Sequence, residues 1–171
     1  KNNLMPWAVG MALHGIAYVL YSLRGEISDW LSIVVASTAI SGMLAVFAEG
    51  MRDIAGRKPR LWLIWAPVPV LATGLSLLMH DFIARVVLSS AIYLFQGGLL
   101  GWFAYRSRDA LQGRGRYVVM AGTLLLVVVM LMRLLGALNG SLPISTITAS
   151  SPLQTLTFLM TIISTLLAVI G

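Results

Sequence analysis

The chain has 171 residues, 58% of them apolar and 11% charged, with a mean hydropathy of +0.90. A soluble domain carries about a quarter charged residues, and a water-soluble fold of this length cannot hide so much apolar surface. This excludes an ordinary cytosolic enzyme and points to a polytopic membrane protein, with the bilayer acting as solvent. With no cysteine there is no disulfide framework, thiolate metal site or cysteine nucleophile. The net charge of +6 belongs on loops facing the cytoplasm, not on a nucleic-acid surface.

Six stretches have the length and apolar content of transmembrane helices, at about residues 4–22, 29–49, 61–80, 82–105, 117–138 and 152–171. Their short connections leave no room for a soluble domain, so residues 1–171 form a single all-α bundle. Lys1, Arg52, Arg57, Lys58, Arg60, Arg106, Arg108, Arg114 and Arg116 fall on one side of these spans, and Arg24, Arg85 and Arg133 on the other. The positive-inside rule places the first group, and with it the C-terminus, in the cytoplasm. Trp7, Trp62, Trp65, Trp102 and Tyr105 then sit near the cytoplasmic headgroups and Trp30 at the opposite face, as an aromatic belt requires. Lys1-Asn2-Asn3 is neither a start methionine nor a signal peptide, and Gly171 stops inside an apolar run, so a longer protein is expected.

Polar residues inside a bilayer cost free energy unless they are paired, hydrated or used. Asp29 opens the second span, Arg85 lies in the first turn of the fourth and Arg133 sits about one turn from the outer end of the fifth, which predicts similar depths on the outer side. Two guanidiniums and one carboxylate leave a positive charge over, suited to a carboxylate, phosphate or lipid headgroup. Alternatively Asp29 caps its helix while the arginines snorkel or pair with it. Arg85, Ser89, Tyr93 and Gln96 share one face of the fourth span, lining a cavity or supplying interhelical hydrogen bonds. His14, Tyr18 and Tyr21 make a similar stripe on the first span, where His14 either packs or lines the deeper part of such a cavity. Thr157, Thr161, Ser164 and Thr165 form a weaker hydroxyl stripe on the last span.

Ser37, Ser41, Ala45 and Glu49 recur every four residues on the second span, and Gly97 and Gly101 form a GxxxG on the fourth. Both favour close helix approach, within the chain or at a dimer face. Pro67 and Pro69 predict a kink in the third span. Asn139-Gly140-Ser141 fits either a glycosylation signal or a turn. No lysine follows Lys58, which excludes a retinal Schiff base in a late helix. His14 and His80 differ in depth and no third histidine exists, which argues against haem or a catalytic metal; no cofactor is expected. No P-loop, nucleophile elbow or carboxylate pair is present, so these residues are not expected to be an enzyme.

Trp7-Ala8-Val9-Gly10, then Arg24-Gly25-Glu26-Ile27-Ser28-Asp29-Trp30-Leu31-Ser32-Ile33-Val34 and Gly50-Met51-Arg52, resemble the multi-helix membrane sensor region of bacterial GGDEF-type diguanylate cyclases. Gly56-Arg57-Lys58-Pro59, the run 84–90, Arg133 near an outer helix end and Ser151-Pro152-Leu153-Gln154 follow the same layout. The resemblance implies a further N-terminal helix and a last span leading to a cytoplasmic domain that makes cyclic di-GMP. Neither that helix nor a GGDEF-like motif is in this sequence. It also implies a homodimeric sensory input module of the bacterial inner membrane, responding to an external small anionic or lipid-like ligand. A structural or assembly subunit of a membrane complex and a small transporter remain the alternatives.

Overall fold

A computed structural model describes residues 5–54, 61–106 and 115–140. Among these residues the chain is helical with no strand, apart from a single bridge between Arg24 and Ile27. The elements are α1 (Met5–Ser22), a π-helical segment (Trp30–Val35) continuous with α2 (Ala36–Ile54), α3 (Leu61–Trp65), α4 (Pro67–Leu77), α5 (Phe82–Arg106) and α6 (Gly115–Leu138). The expected last span, 152–171, lies outside the described residues.

Among the described residues, three helices are long and apolar enough to cross a membrane: Trp30–Asp53, Phe82–Arg106 and Val119–Leu138. By the 1.5 Å helical rise, α5 reaches about 37 Å, beyond the thickness of a hydrocarbon core. Leu61–Leu77 is a shorter apolar helix, and α1 has 18 residues.

Small residues decide which helix sits in the middle. The Trp30–Asp53 span is 78% buried inside the bundle, against 33% for Val119–Leu138, because α2 packs against α1, α4 and α5 while α6 leans mainly on α5. Serines, alanines and glycines along α2 let its neighbours approach. Gly10 of α1 seats the ring of Phe47, which a Cβ there would overlap, and Pro6 comes within 3.3 Å of a Cβ built at Gly50. The Trp7 ring packs on Phe47 at 4.9 Å. These contacts make α1 and α2 antiparallel. On α5, a Cβ built at Gly97 would lie 3.3 Å from Leu126, and one at Gly101 would lie 3.6 Å from Thr123. The GxxxG therefore serves contact with antiparallel α6.

Helix ends follow local chemistry. Pro67 occupies the first position of α4, where its missing N–H is harmless, but it and Pro69 deprive the Leu63 and Trp65 carbonyls of their usual donors. The expected single helix 61–80 is accordingly interrupted at Ala66, whose N–H still donates to the Trp62 carbonyl at 2.7 Å. It ends at Leu77. Gly25 adopts φ +96° in the 23–28 connection, and Gly140 adopts φ +63° beyond α6, a region open to glycine and strained for other residues. Asn139 and Gly140 thus form a turn closing α6, with the Asn139 N–H donating to the Leu135 carbonyl.

Side chains at the bundle surface match a lipid environment. Trp62, Trp65, Trp102 and Tyr105 are exposed at the end holding Arg52, and Trp30 at the end holding Arg85. Arg106 lies over the Trp102 ring at 4.6 Å. At the same end Trp65 Nε1–H donates to Glu49 at 3.0 Å, tying α3 to α2.

Candidate functional site

The two polar stripes of the sequence face each other. Both α2 and α5 start at the Arg85 end, so they run parallel, and their polar faces form a seam in the middle of the bundle. All four stripe residues of α5, Arg85, Ser89, Tyr93 and Gln96, are buried, as are Ser37, Ser41 and Ala45 of α2. The i, i+4 and i, i+3 spacings made this outcome available, since they align side chains on one face.

Deep in the seam every polar atom of the pair Gln96 and Ser41 is engaged. Ser41 Oγ–H donates to Gln96 Oε1 at 3.0 Å, and Gln96 Nε2–H donates back to the Ser41 carbonyl at 3.0 Å. One turn nearer the Arg85 end, the Tyr93 hydroxyl donates to the Ser37 carbonyl at 2.9 Å, while the Tyr21 hydroxyl and Ser37 Oγ lie 2.9 Å apart. The two tyrosine hydroxyls also interact, so Ser37 and its neighbours join α1, α2 and α5. Ser89 satisfies its hydroxyl locally on the Val86 carbonyl. Tyr93 and Gln96 thus spend their polar groups on α2.

His14 occupies a separate contact between α1 and α2. Its Nδ1 lies 3.1 Å from Met43 Sδ and its ring packs against Tyr18 at 4.6 Å. No group of three or more His, Asp or Glu residues able to hold a metal occurs among the described residues.

The Arg85 end differs. Arg85 is only 8% exposed, yet among the described residues its Nε has no hydrogen-bond partner, and its Cζ lies 6.0 Å from the Phe82 ring centroid. Arg24, Asp29 and Asp81 all lie within electrostatic range of it, but none makes an ion pair with it; the ion pairs among the described residues join Arg52 to Glu49 and Asp53. Asp81 instead caps α5, its Oδ1 accepting from the Ala84 N–H at 2.9 Å. Asp29 is exposed and makes no capping bond. The capping expected of it falls to Ser28, whose carbonyl and Oγ accept from the Leu31 N–H at 3.0 and 3.4 Å.

Arg133 departs from the expected depth. Gly97 meets Leu126 and Gly101 meets Thr123, a register that sets Arg133 level with residues 90–91 of α5. That is roughly 8 Å deeper than Arg85 at 1.5 Å per residue. Half-buried Arg133 accordingly lies in electrostatic range of the Tyr93 hydroxyl. Arg24 instead lies in electrostatic range of Arg85. In the sequence Arg24 is legible only as a charge, because a residue in a connection has no helical period to assign it a neighbour.

A shallow open depression marks the α4–α5 turn, lined by Leu77, Leu78, His80, Asp81, Phe82 and Ile83. It takes in Asp81 but none of the seam residues. Comparison of the chain with protein-family models, with curated proteins and with solved structures finds no match.

Proposed function

We propose that the chain is the membrane-embedded sensory input module of a bacterial signalling protein, with six spans in the inner membrane and its C-terminus in the cytoplasm. In this reading Arg85 holds an anionic group of a small or lipid-like ligand at the outer end of the seam. Asp29, in electrostatic range, offsets part of the guanidinium's charge, while Arg133, Tyr93, Gln96 and His14 form the deeper surroundings. Ligand binding shifts the packing of the bundle, and the last span carries that change to an output domain, of which a dimeric diguanylate cyclase is the type the sequence resembles. The lopsided distribution of basic residues supports the orientation.

The observation that carries the reading is buried Arg85, whose Nε has no hydrogen-bond partner and which makes no ion pair among the described residues. A buried charge without a counter-ion is costly, and such residues in a membrane segment mark ligand or ion sites. Native mass spectrometry of the protein, extracted gently with its lipids, tests it. A small molecule retained by the wild type and lost from the folded R85E/R133E variant is the expected result. A bundle carrying only exchangeable lipid, or bound to other subunits at fixed stoichiometry, would refute the reading and favour an assembly role.

A further inference from the structure

The outward edge of α6 is a continuous apolar stripe. Ala121, Leu124, Val128, Leu131, Leu135 and Leu138 are all exposed among the described residues, and they recur at alternating steps of three and four along one side of the helix. On the opposite side, Leu126 and Thr123 meet Gly97 and Gly101 of α5. Of the three long spans, the one within α6 is the least enclosed, 33% buried, so a whole side of it is left to a neighbour or to lipid.

The expected last span carries a complementary pattern. Gln154, Thr157, Thr161, Ser164, Ala168 and Gly171 recur at the same alternating steps, so in a helix they share one edge. Apart from Thr155 and Thr165, every other residue between Gln154 and Gly171 is Leu, Ile, Val, Met or Phe. Such a helix turns its broad apolar side to lipid and uses its edge of small and hydroxyl-bearing residues for close approach to another helix. α6 offers the matching shape, with large side chains along its free edge. The two patterns also agree in register. An antiparallel pairing that sets Leu138 opposite Gln154 brings Leu135 to Thr157, Leu131 to Thr161, Val128 to Ser164, Leu124 to Ala168 and Ala121 to Gly171. Steps of three and four stay in phase over this length when two helices coil gently around each other.

The chain between the two segments favours the same pairing. Asn139 and Gly140 turn the backbone at the end of α6, and Ser151-Pro152 suits the cap and first position of a helix. The short connection between them holds the last span near α6 at an effective concentration above that of any second copy. The free edge of α1, with exposed Ala8, Ala12 and Gly15, is itself small and lacks the large side chains that would fill the small edge of the last span.

We propose that residues 152–171 pack within the same chain, antiparallel on the outward edge of α6, with Val128 opposite Ser164. The proposal rests on the reading of 152–171 as a membrane span and names the surface that joins this span to the bundle. α6 thereby links α5 on one side to the last span on the other.

The test exploits the absence of cysteine from the full chain. Pairs of cysteines are introduced, oxidised in native membranes with copper phenanthroline, and read as monomer or dimer on gels and as linked peptides by mass spectrometry. G101C/T123C, at the α5–α6 contact, verifies that the oxidant acts within the bilayer. V128C/S164C and L124C/A168C should link within one chain, whereas V128C/L166C, turned to the far side of the last span, should not. T161F fills the small edge and should cost the V128C/S164C link, and L131A in the same chain should restore it. Links of these pairs found only between chains would overturn the proposal and assign the edge to a second copy. A12C/T161C links in place of those to α6 would overturn it in favour of α1. Failure of every pair but the G101C/T123C control would overturn it as well and leave the edge to lipid. Labelling of S151C by an impermeant maleimide in intact cells, and of G171C only after permeabilisation, reports the span itself and so separates failure of the docking from failure of the six-span reading.

Discussion

Replacing Gln96 by leucine removes both of the bonds that tie the middle of α5 to α2. Ser41 Oγ–H loses its acceptor, and the Ser41 carbonyl loses the Gln96 Nε2–H donor, each bond being 3.0 Å in the native bundle. Interhelical hydrogen bonds in membranes average about 0.6 kcal/mol and reach about 1.7 kcal/mol at most. Two of them, in a site where Gln96 is 2% and Ser41 0% exposed, set the expected loss at about 1–3 kcal/mol. The Ser41 carbonyl keeps its helical partner, but the hydroxyl is left facing leucine, and an orphaned buried donor accounts for much of the cost. Substituting Ser41 by alanine as well removes that orphan, so S41A/Q96L should be more stable than Q96L, with a coupling energy of about 1 kcal/mol across the cycle. Equilibrium unfolding in mixed micelles of a mild detergent and dodecyl sulfate, followed by far-UV circular dichroism, measures all four proteins. A Q96L bundle as stable as the wild type, or a coupling energy near zero, would show that the seam is not held by this pair.

Other substitutions separate the roles assigned at the helix ends and contacts. D81A should lower stability by about 1 kcal/mol, through loss of the cap on the Ala84 N–H, whereas D29A should change it little because Asp29 makes no capping bond; the same unfolding assay compares them. G10V should destabilise the bundle by about 1–3 kcal/mol, since its side chain occupies the space of the Phe47 ring, and the companion G15V should not, because nothing lies within 4 Å of a Cβ at Gly15. Orientation can be tested on the cysteine-free background: in intact cells an impermeant maleimide should label E26C, and label R108C only after permeabilisation. The reverse pattern would invert the bundle.

Much of this architecture follows from local periodicity. The stripes at Arg85, Ser89, Tyr93 and Gln96 and at Ser37, Ser41 and Ala45 are visible because helical spacing aligns them, and both prove to be buried faces. What spacing does not carry is the partner of each face. It leaves Gly97 and Gly101 open to a dimer contact or an internal one, whereas the fold commits them to Leu126 and Thr123. Depth along a helix is also poorly fixed by counting from an assumed end. An error of a few residues at each boundary misplaces Arg133 relative to Arg85 by about one and a half turns, and the register of α5 on α6 corrects it. Arg24 and Asp81 lie outside any periodic run, so their roles emerge only once the connections are folded. The π-helical segment at Trp30–Val35 is likewise silent in a pattern of apolar residues, because one extra residue per turn alters hydrogen bonding more than composition.

The distribution of unmet polar groups along the seam has a physical logic. The Gln96–Ser41 and Tyr93–Ser37 pairs join α5 to α2 across the seam with their donors engaged. The buried atoms without partners among the described residues are Arg24 Nε, Thr38 Oγ1, Arg85 Nε and Ser90 Oγ, all in the half of the molecule nearer the 23–28 and 78–81 connections. Deep in hydrocarbon an orphaned polar group costs several kcal/mol, which favours packing that pairs it. Nearer the headgroups, water and ions can supply the missing partner and the constraint relaxes. A hydroxyl such as Ser90 can be satisfied by its own helix after a rotation about one bond. A guanidinium cannot, because its donors outnumber the carbonyls a helix can spare. This is why Arg85, rather than the orphaned hydroxyls, calls for an external anion. Such an anion would complete at the end of the seam the pairing that α2 and α5 have already achieved in its interior.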